Sequence, residues 1–185
     1  MTDVASPAAT TPAPWVAAAV RSAVAGDEAA FARIVEAYGR DLFRVAYVVA
    51  GDEALAEDAA QAAWSIAWRK LPSLRDPERL RPWLVSVAAN EARQLLRSRN
   101  RRQVAEIRVR PPDDPLGDPS AVAERLDLLA AFRHLRPEDR SLLAMRYVAG
   151  LDGAEIGAVL GMSPSGVRGH LSRLLERLRK ELRDG

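Results

Sequence analysis

The sequence predicts an all-α fold: two small helical domains joined by a flexible linker, the C-terminal one containing a helix-turn-helix. Three observations predict it. Apolar residues recur at three- and four-residue steps along most of the chain, whereas period-two runs of β-branched residues are scarce. Hydrophobic residues make up 48% of the sequence and aromatics only 5%, with Ala and Leu abundant, a composition that favours helix. Over residues 103–120, "QVAEIRVRPPDDPLGDPS", the periodicity stops and prolines, aspartates and a glycine gather, as expected of a linker. A chain of 185 residues is long enough for two such units with separate cores.

Residues 1–14, "MTDVASPAATTPAP", are rich in Ala, Thr and Pro and predict a disordered tail. The first domain is assigned to residues 15–102. Phe31, Ile34, Val35, Tyr38, Leu42, Val45 and Val49 lay one apolar face along a helix that Gly51 and Asp52 interrupt. A second helix runs from about Glu53 to Leu71, carrying Leu55, Ala59, Ala62, Ile66, Trp64 and Trp68, and Pro72 ends it. The prolines of "LPSLRDPERLRPWL" predict a loop with at most one short turn, helix resuming at Pro82. From Trp83 to Arg102 that helix is apolar at its start and cationic at its end, "RQLLRSRNRR".

The second domain is assigned to residues 121–185. A helix striped by Val122, Leu126, Leu129 and Phe132 is followed by one that starts at Pro137 and runs through Leu142, Leu143 and Tyr147 to Gly150. Asp152 and Glu155 have the spacing of a capping box and start a short helix with Ile156, Val159 and Leu160. Gly161 closes it in the left-handed conformation, and Ser163 caps the next, with Pro164 at its first position. A glycine-containing turn this short between two helices is the helix-turn-helix geometry.

Charge is segregated although the formal net charge is only +2. Residues 27–58 carry eight acidic side chains against three arginines; residues 88–110 carry seven arginines against two glutamates; residues 163–185 carry six basic side chains against three acidic. One acidic lobe and two basic patches imply more than one partner. The absence of cysteine excludes disulfides, iron–sulfur clusters and Cys-based zinc sites, and His134 and His170 stand apart from any ligand-like cluster. No metal or other cofactor is expected, and no enzyme, since no nucleophile–base pair or phosphate loop is in view. The start lacks the pattern of a secretory signal, and no apolar run approaches the roughly 18 residues of a membrane span, so a cytoplasmic protein is expected.

In a helix-turn-helix the second helix enters the major groove. Val167, Leu171, Leu174, Leu175, Leu178 and Leu182 form its inward stripe, leaving Ser165, Arg168, Gly169, Ser172 and Arg173 outward. Arginine suits the task because its planar fork can donate to both major-groove acceptors of guanine. Gly166 and Gly169 each cost about 1 kcal/mol against alanine in a helix; close approach to a DNA backbone would rationalise them. On the earlier helix Trp83, Asn90, Arg93, Arg97, Arg99, Arg101 and Arg102 combine cations with a stacking or amide-reading surface, which suits single-stranded nucleic acid. The acidic lobe repels phosphate and should face protein.

These residues carry a resemblance. "LRPEDRSLLAMRYVAGLDGAEIGAVLGMSPSGVRGHLSRLLERLRKEL" resembles region 4 of bacterial RNA polymerase sigma factors, and "LAEDAAQAAWSIAWRKL" with "RPWLVSVAANEARQLLRSRNRR" resembles region 2. Their order and short linker are similar to the extracytoplasmic-function (ECF) subclass of the sigma-70 family. The resemblance implies a dissociable initiation subunit that lends promoter specificity to core RNA polymerase. It implies that Asp58, Gln61, Trp64 and Trp68 dock on the polymerase. It further implies that Trp83, Asn90, Arg93, Arg97 and Arg101 melt and hold the minus-10 element, and that Ser165, Arg168, Gly169, Ser172 and Arg173 read the minus-35 element. Promoter DNA, core polymerase and an anti-sigma factor are the implied partners. The chain departs from the family pattern at Ala62, where an acidic residue is frequent, at Gln94, where Asp is usual, and at Gly169 and His170, where Ser and Arg are frequent. On the residues alone two other readings stay open. One is a helix-turn-helix regulator that binds a duplex operator without polymerase; the other is a helical protein-interaction module with no salt-dependent DNA binding.

Overall fold

A computed structural model describes residues 14–105, 132 and 134–184; the expected tail, most of the linker and the Val122–Leu129 stripe lie outside the described residues. Among these the regular structure is helical throughout, with no strand. Helix α1 spans Trp15–Val24, α2 Glu28–Ala50, α3 Glu53–Lys70, α4 Leu80–Ala105, α5 Pro137–Leu143, α6 Gly153–Leu160 and α7 Pro164–Asp184.

The boundaries follow from capping chemistry. The Asp27 carboxylate accepts from the N–H groups of Ala29 (3.0 Å) and Ala30 (3.1 Å), two of the donors that a helix start leaves unpaired. α2 stops where Gly51 turns left-handed at φ 68° and donates its N–H to the Tyr47 carbonyl at 2.7 Å. Asp52 immediately caps α3 through the Leu55 N–H at 3.0 Å. Helix then resumes at Leu80, two residues before the expected Pro82, after two 3₁₀ turns at Leu71–Ser73 and Pro77–Arg79. Pro82 is tolerated as the third helical residue because N–H groups in the first turn have no intrahelical acceptor to lose.

Asp52 also receives Arg99 from α4, an ion pair that ties the start of α3 to the cationic half of that helix. The Leu55 N–H first, and Arg99 next, hold the Asp52 carboxyl below its ordinary range. A lowered folded-state value means stability that is present above the ordinary carboxylate range and is lost as pH falls through the lowered one. Asp52→Ala should cost about 1 kcal/mol at neutral pH. In urea melts, the gap between wild type and Asp52→Asn should shrink between about pH 5 and about pH 2.

Two hydrophobic clusters organise the chain. The first joins α1 to the inner faces of α2, α3 and α4 through Val16, Val20, Ile34, Leu42, Leu71, Leu80 and Leu84. The second does not respect the halves read from sequence. It combines Val45 and Val49 of α2 and Val85, Ala89 and Ala92 of α4 with Leu142, Met145, Leu151, Ile156, Val167 and Leu174 of the C-terminal half. The N-terminal half keeps the first cluster as its own core, whereas the C-terminal half shares the second with it, because α2 and α4 each extend an apolar face past the end of the first cluster. Polar contacts reinforce the junction. The Arg81 guanidinium holds Asp41 at 2.9 Å and donates to the Ala149 carbonyl, and Arg97 pairs with Glu138 at 3.2 Å.

The second half starts with α5, whose last turn widens into a π-helical segment over Ala144–Val148; there the Ala149 N–H reaches back to the Ala144 carbonyl at 2.9 Å. Gly150, at φ 68°, reverses the chain into α6.

Candidate nucleic-acid interface

The α6–turn–α7 unit is assembled from local chemistry legible residue by residue. Asp152 accepts from the N–H groups of Ala154 (2.7 Å) and Glu155 (2.8 Å), while the Glu155 carboxylate accepts from the Asp152 N–H at 2.7 Å, a complete capping box. Gly161 closes α6 at φ 67°. The Ser163 hydroxyl accepts from the Gly166 N–H at 3.0 Å and caps α7.

One residue that sets this turn was missed from sequence. Gly157 lies in the middle of α6, and a Cβ placed on it would sit 2.5 Å from the Met162 carbonyl oxygen. The start of α7 therefore rests directly on the α6 backbone, with the Met162 N–H bonded to the Gly157 carbonyl at 2.9 Å. A glycine inside an eight-residue helix, where it weakens the helix by about 1 kcal/mol, was the available signal. Gly166 also has a reason inside the protein. A Cβ there would lie 3.0 Å from the Ser163 hydroxyl that caps the helix. At Gly169 a Cβ would meet only Arg173 Nη1, at 3.6 Å, so the chain itself leaves that position open.

α7 buries Val167, Leu171, Leu174 and Leu178 and leaves Ser165, Arg168, Ser172 and Arg173 exposed, with Gly169 half-buried between them. Leu182, read as the end of the inward stripe, is 42% exposed; it lies a turn beyond Leu178, past the reach of α5 and α6. His170, beside Gly169, turns inward. Its Nε2 lies 3.0 Å from Oδ1 of Asp139, a carboxylate only 1% exposed that also takes Arg136 Nε at 3.3 Å and Arg177 Nη2 at 3.4 Å. Asp139 thus pins α7 to α5 and fixes which side of α7 faces outward. Sequence reading gave Asp139 no role, since its contacts with His170 and Arg177 span more than thirty positions.

On α4, Trp83, Asn90, Arg97 and Arg101 follow one another at helical spacing along one side. Trp83 is half-buried against the first cluster, while Asn90, Arg97 and Arg101 are exposed. Arg93 bonds the Asn90 side-chain carbonyl, and burial pushes its guanidinium below the ordinary value, partly offset by Glu138. Arg97 is engaged by Glu138 and Arg99 by Asp52. On α3, Asp58 and Gln61 are exposed together with Glu53 and Glu57. The two tryptophans differ from these. Trp64 is half-buried, edge-on to Phe31 at 6.0 Å between ring centres, and Trp68, 39% exposed, meets the same ring at 4.9 Å. No helix among the described residues is long and apolar enough to cross a membrane.

The exposed chemistry is therefore an arginine–serine row on α7, a cationic strip on α4 and an acidic face on α3. Comparison with known proteins shows the family in which these surfaces occur. The sigma-70 region 2 profile matches residues 34–102, and the sigma-70 region 4 profile matches residues 125–178. The RNA polymerase sigma factor CarQ of Myxococcus xanthus is 36% identical over 136 residues, covering 70% of this chain and 75% of CarQ. The probable RNA polymerase sigma factor RfaY of Xanthomonas campestris pv. campestris is 32% identical over 168 residues, which are 86% of this chain but 42% of RfaY. The chain thus spans less than half the length of that relative. Among solved structures, CnrH in complex with the cytosolic domain of CnrY superposes with a TM-score of 0.69 at 24% identity, covering 91% of this chain and 97% of CnrH. The sigma factor RpoE of Bartonella quintana, in complex with the anti-sigma factor NepR, gives 0.62 at 21% identity, covering 83% of this chain and 96% of RpoE.

Proposed function

Because the chain belongs to the sigma-70 family of RNA polymerase sigma factors, in the ECF subclass, we propose that it binds core RNA polymerase and directs promoter-specific initiation. In this reading α7 reads the minus-35 element as duplex through Ser165, Arg168, Gly169, Ser172 and Arg173. Trp83, Asn90, Arg93, Arg97 and Arg101 of α4 open and hold the minus-10 element, and the α3 face with Asp58 and Gln61 meets the polymerase. The chain works in the cytoplasm as a regulatory subunit, and an anti-sigma factor sequesters it. The observation that carries the reading is the one-sidedness of α7: four aliphatic residues buried on α5 and α6, and an arginine–serine row outward.

The junction bears on how the free chain behaves. Arg97 is paired with a carboxylate of the other half where a phosphate would sit, so the free chain should bind DNA poorly until polymerase draws the halves apart. Such an exposed pair contributes only about 0–1 kcal/mol, which a polymerase surface readily outweighs.

The test is reconstituted transcription. The purified chain is mixed with core polymerase and a library of promoter fragments. Arg168→Ala or Arg173→Ala should change which fragments are used, with discrimination at the contacted base falling by about 1–3 kcal/mol. Asp58→Lys with Gln61→Ala should lower output from all fragments alike. Tight operator binding by the free chain, with no polymerase association, would favour an autonomous helix-turn-helix regulator.

A further inference from the structure

Among the described residues, Arg140 is a buried charge that the fold leaves incompletely satisfied. It sits on α5 with 8% of its surface exposed, and its Nε is buried with no hydrogen-bond partner among the described residues. The nearby carboxylates are committed elsewhere: Asp139 holds Arg136, His170 and Arg177, and Glu138 holds Arg97. Burial accordingly pushes the Arg140 guanidinium below its ordinary value, with Glu138 the only opposing influence. A buried N–H without a partner costs free energy, and a cation beside an apolar wall costs more unless an anion meets it. Arg93 Nε is also buried without a partner, but its guanidinium is bonded to Asn90.

Arg140 forms part of the wall of a groove of about 460 Å³ between the two halves. The wall is otherwise largely apolar and includes Tyr47 and Val48 from the end of α2, Phe132 ahead of α5, Leu143 and Tyr147 from α5 and its π turn, and Leu178 from α7. Tyr47 and Tyr147 are each about half exposed at 48% and 49%. Arg140 Nη1 approaches the end of α2, where a Cβ on Gly51 would lie 3.7 Å from it. The volume falls in the range of small-ligand sites, roughly 300–1,000 Å³.

We propose that this groove binds an amphiphilic monocarboxylate, its apolar chain against Tyr47, Val48, Leu143, Tyr147 and Leu178 and its carboxylate on Arg140. One carboxylate neutralises the one guanidinium and matches its planar fork in two parallel hydrogen bonds. A phosphate would carry a second charge into an apolar wall with nothing to balance it. Because the wall is drawn from both halves, occupancy holds α2 against α5 and α7. On the sigma-factor reading, the ligand would then oppose polymerase binding; the binding itself does not depend on that reading.

The test uses the full chain and calorimetric titration with decanoate below micelle formation and with decanol below its solubility limit. Decanoate should bind and raise Tm, and decanol should bind at least about ten-fold more weakly. Arg140→Met keeps an apolar stem without the charge and should bring decanoate down to the level of decanol. Val48→Trp, which fills the groove and leaves Arg140 in place, should weaken both; it decides the matter if Arg140→Met does not fold. The proposal is overturned if the two ligands bind alike, if decanoate fails to bind up to about 1 mM, or if neither variant changes its affinity. Preferential capture of an acidic helical peptide over decanoate would overturn it too, in favour of a protein occupant. Inhibition of polymerase-dependent transcription by decanoate in wild type but not in Arg140→Met would add the regulatory consequence; binding without inhibition would remove that consequence and leave the site.

Discussion

Replacing Gly157 with valine is expected to abolish promoter-dependent transcription while leaving the association with core polymerase in place. The reason is geometric. Even the first carbon of a side chain would stand 2.5 Å from the Met162 carbonyl oxygen, and the obstacle is backbone, which cannot swing aside as a flexible side chain would. The turn must open, which moves the start of α7 relative to α6 and carries Arg168 and Arg173 with it. Overpacking of this kind costs typically about 1–3 kcal/mol, and valine recovers little of it through helix propensity. Circular dichroism should show a lowered Tm with helical content largely retained, since α1 to α4 are untouched. Transcription should be lost from every promoter fragment, and a polymerase pull-down should stay near the wild-type level. Unaltered minus-35 selection in this variant would show that α6 and α7 tolerate a different approach.

Trp64→Ala is expected to lower stability by about 2–4 kcal/mol, less than a fully buried tryptophan would cost, because the ring is only half covered. For a chain of this size that corresponds to a Tm lower by roughly 5–15 °C. The loss comes from the apolar area of the indole and its edge-on contact with Phe31, worth about 0.5–1.5 kcal/mol beyond burial. A fall in transcription with this variant would therefore mix unfolding with loss of a docking contact. Asp58 and Gln61 are the discriminating positions: both are exposed on α3, so their substitution should leave stability within about 0.5 kcal/mol of wild type while reducing polymerase affinity. If Trp64→Ala melted like wild type yet lost polymerase binding, the indole would belong to the interface and not to the core.

What the sequence showed, and what it withheld, divides along contact distance. Gly51, the Asp152–Glu155 box, Gly161 and Ser163 act within a few positions of themselves, and they were readable as a helix break, a box, a left-handed stop and a cap; Asp27 and Asp52 also cap locally, yet the first drew no attention and the second was read only as part of a break. The stride of Val167, Leu171, Leu174 and Leu178 gave the orientation of α7 for the same reason. Leu182 broke the stride because covering it depends on where other helices end. Asp139 could not be recognised as the post to which His170 and Arg177 are tied, since a local reading sees only an acidic residue in the first turn of a helix. The shared cluster was hidden by the same limit. Val45, Val49, Ala89 and Ala92 look like the continuation of an ordinary apolar face, and nothing in their own neighbourhood says that the partner lies beyond the linker. Arg97 read as a free cation for phosphate, and only the fold reveals Glu138 opposite it.

The alanines on the second half's resting surface have a further consequence. Ala89 and Ala92 let helix backbones come close, but each offers a single methyl group, and a methyl-sized group shielded from water is worth only about 0.8 kcal/mol. Val45, Val49 and Val85 line the same surface and bring branched side chains worth about 1.5–3 kcal/mol each when fully buried, so the halves part only where a larger protein offers enough apolar surface to replace that burial.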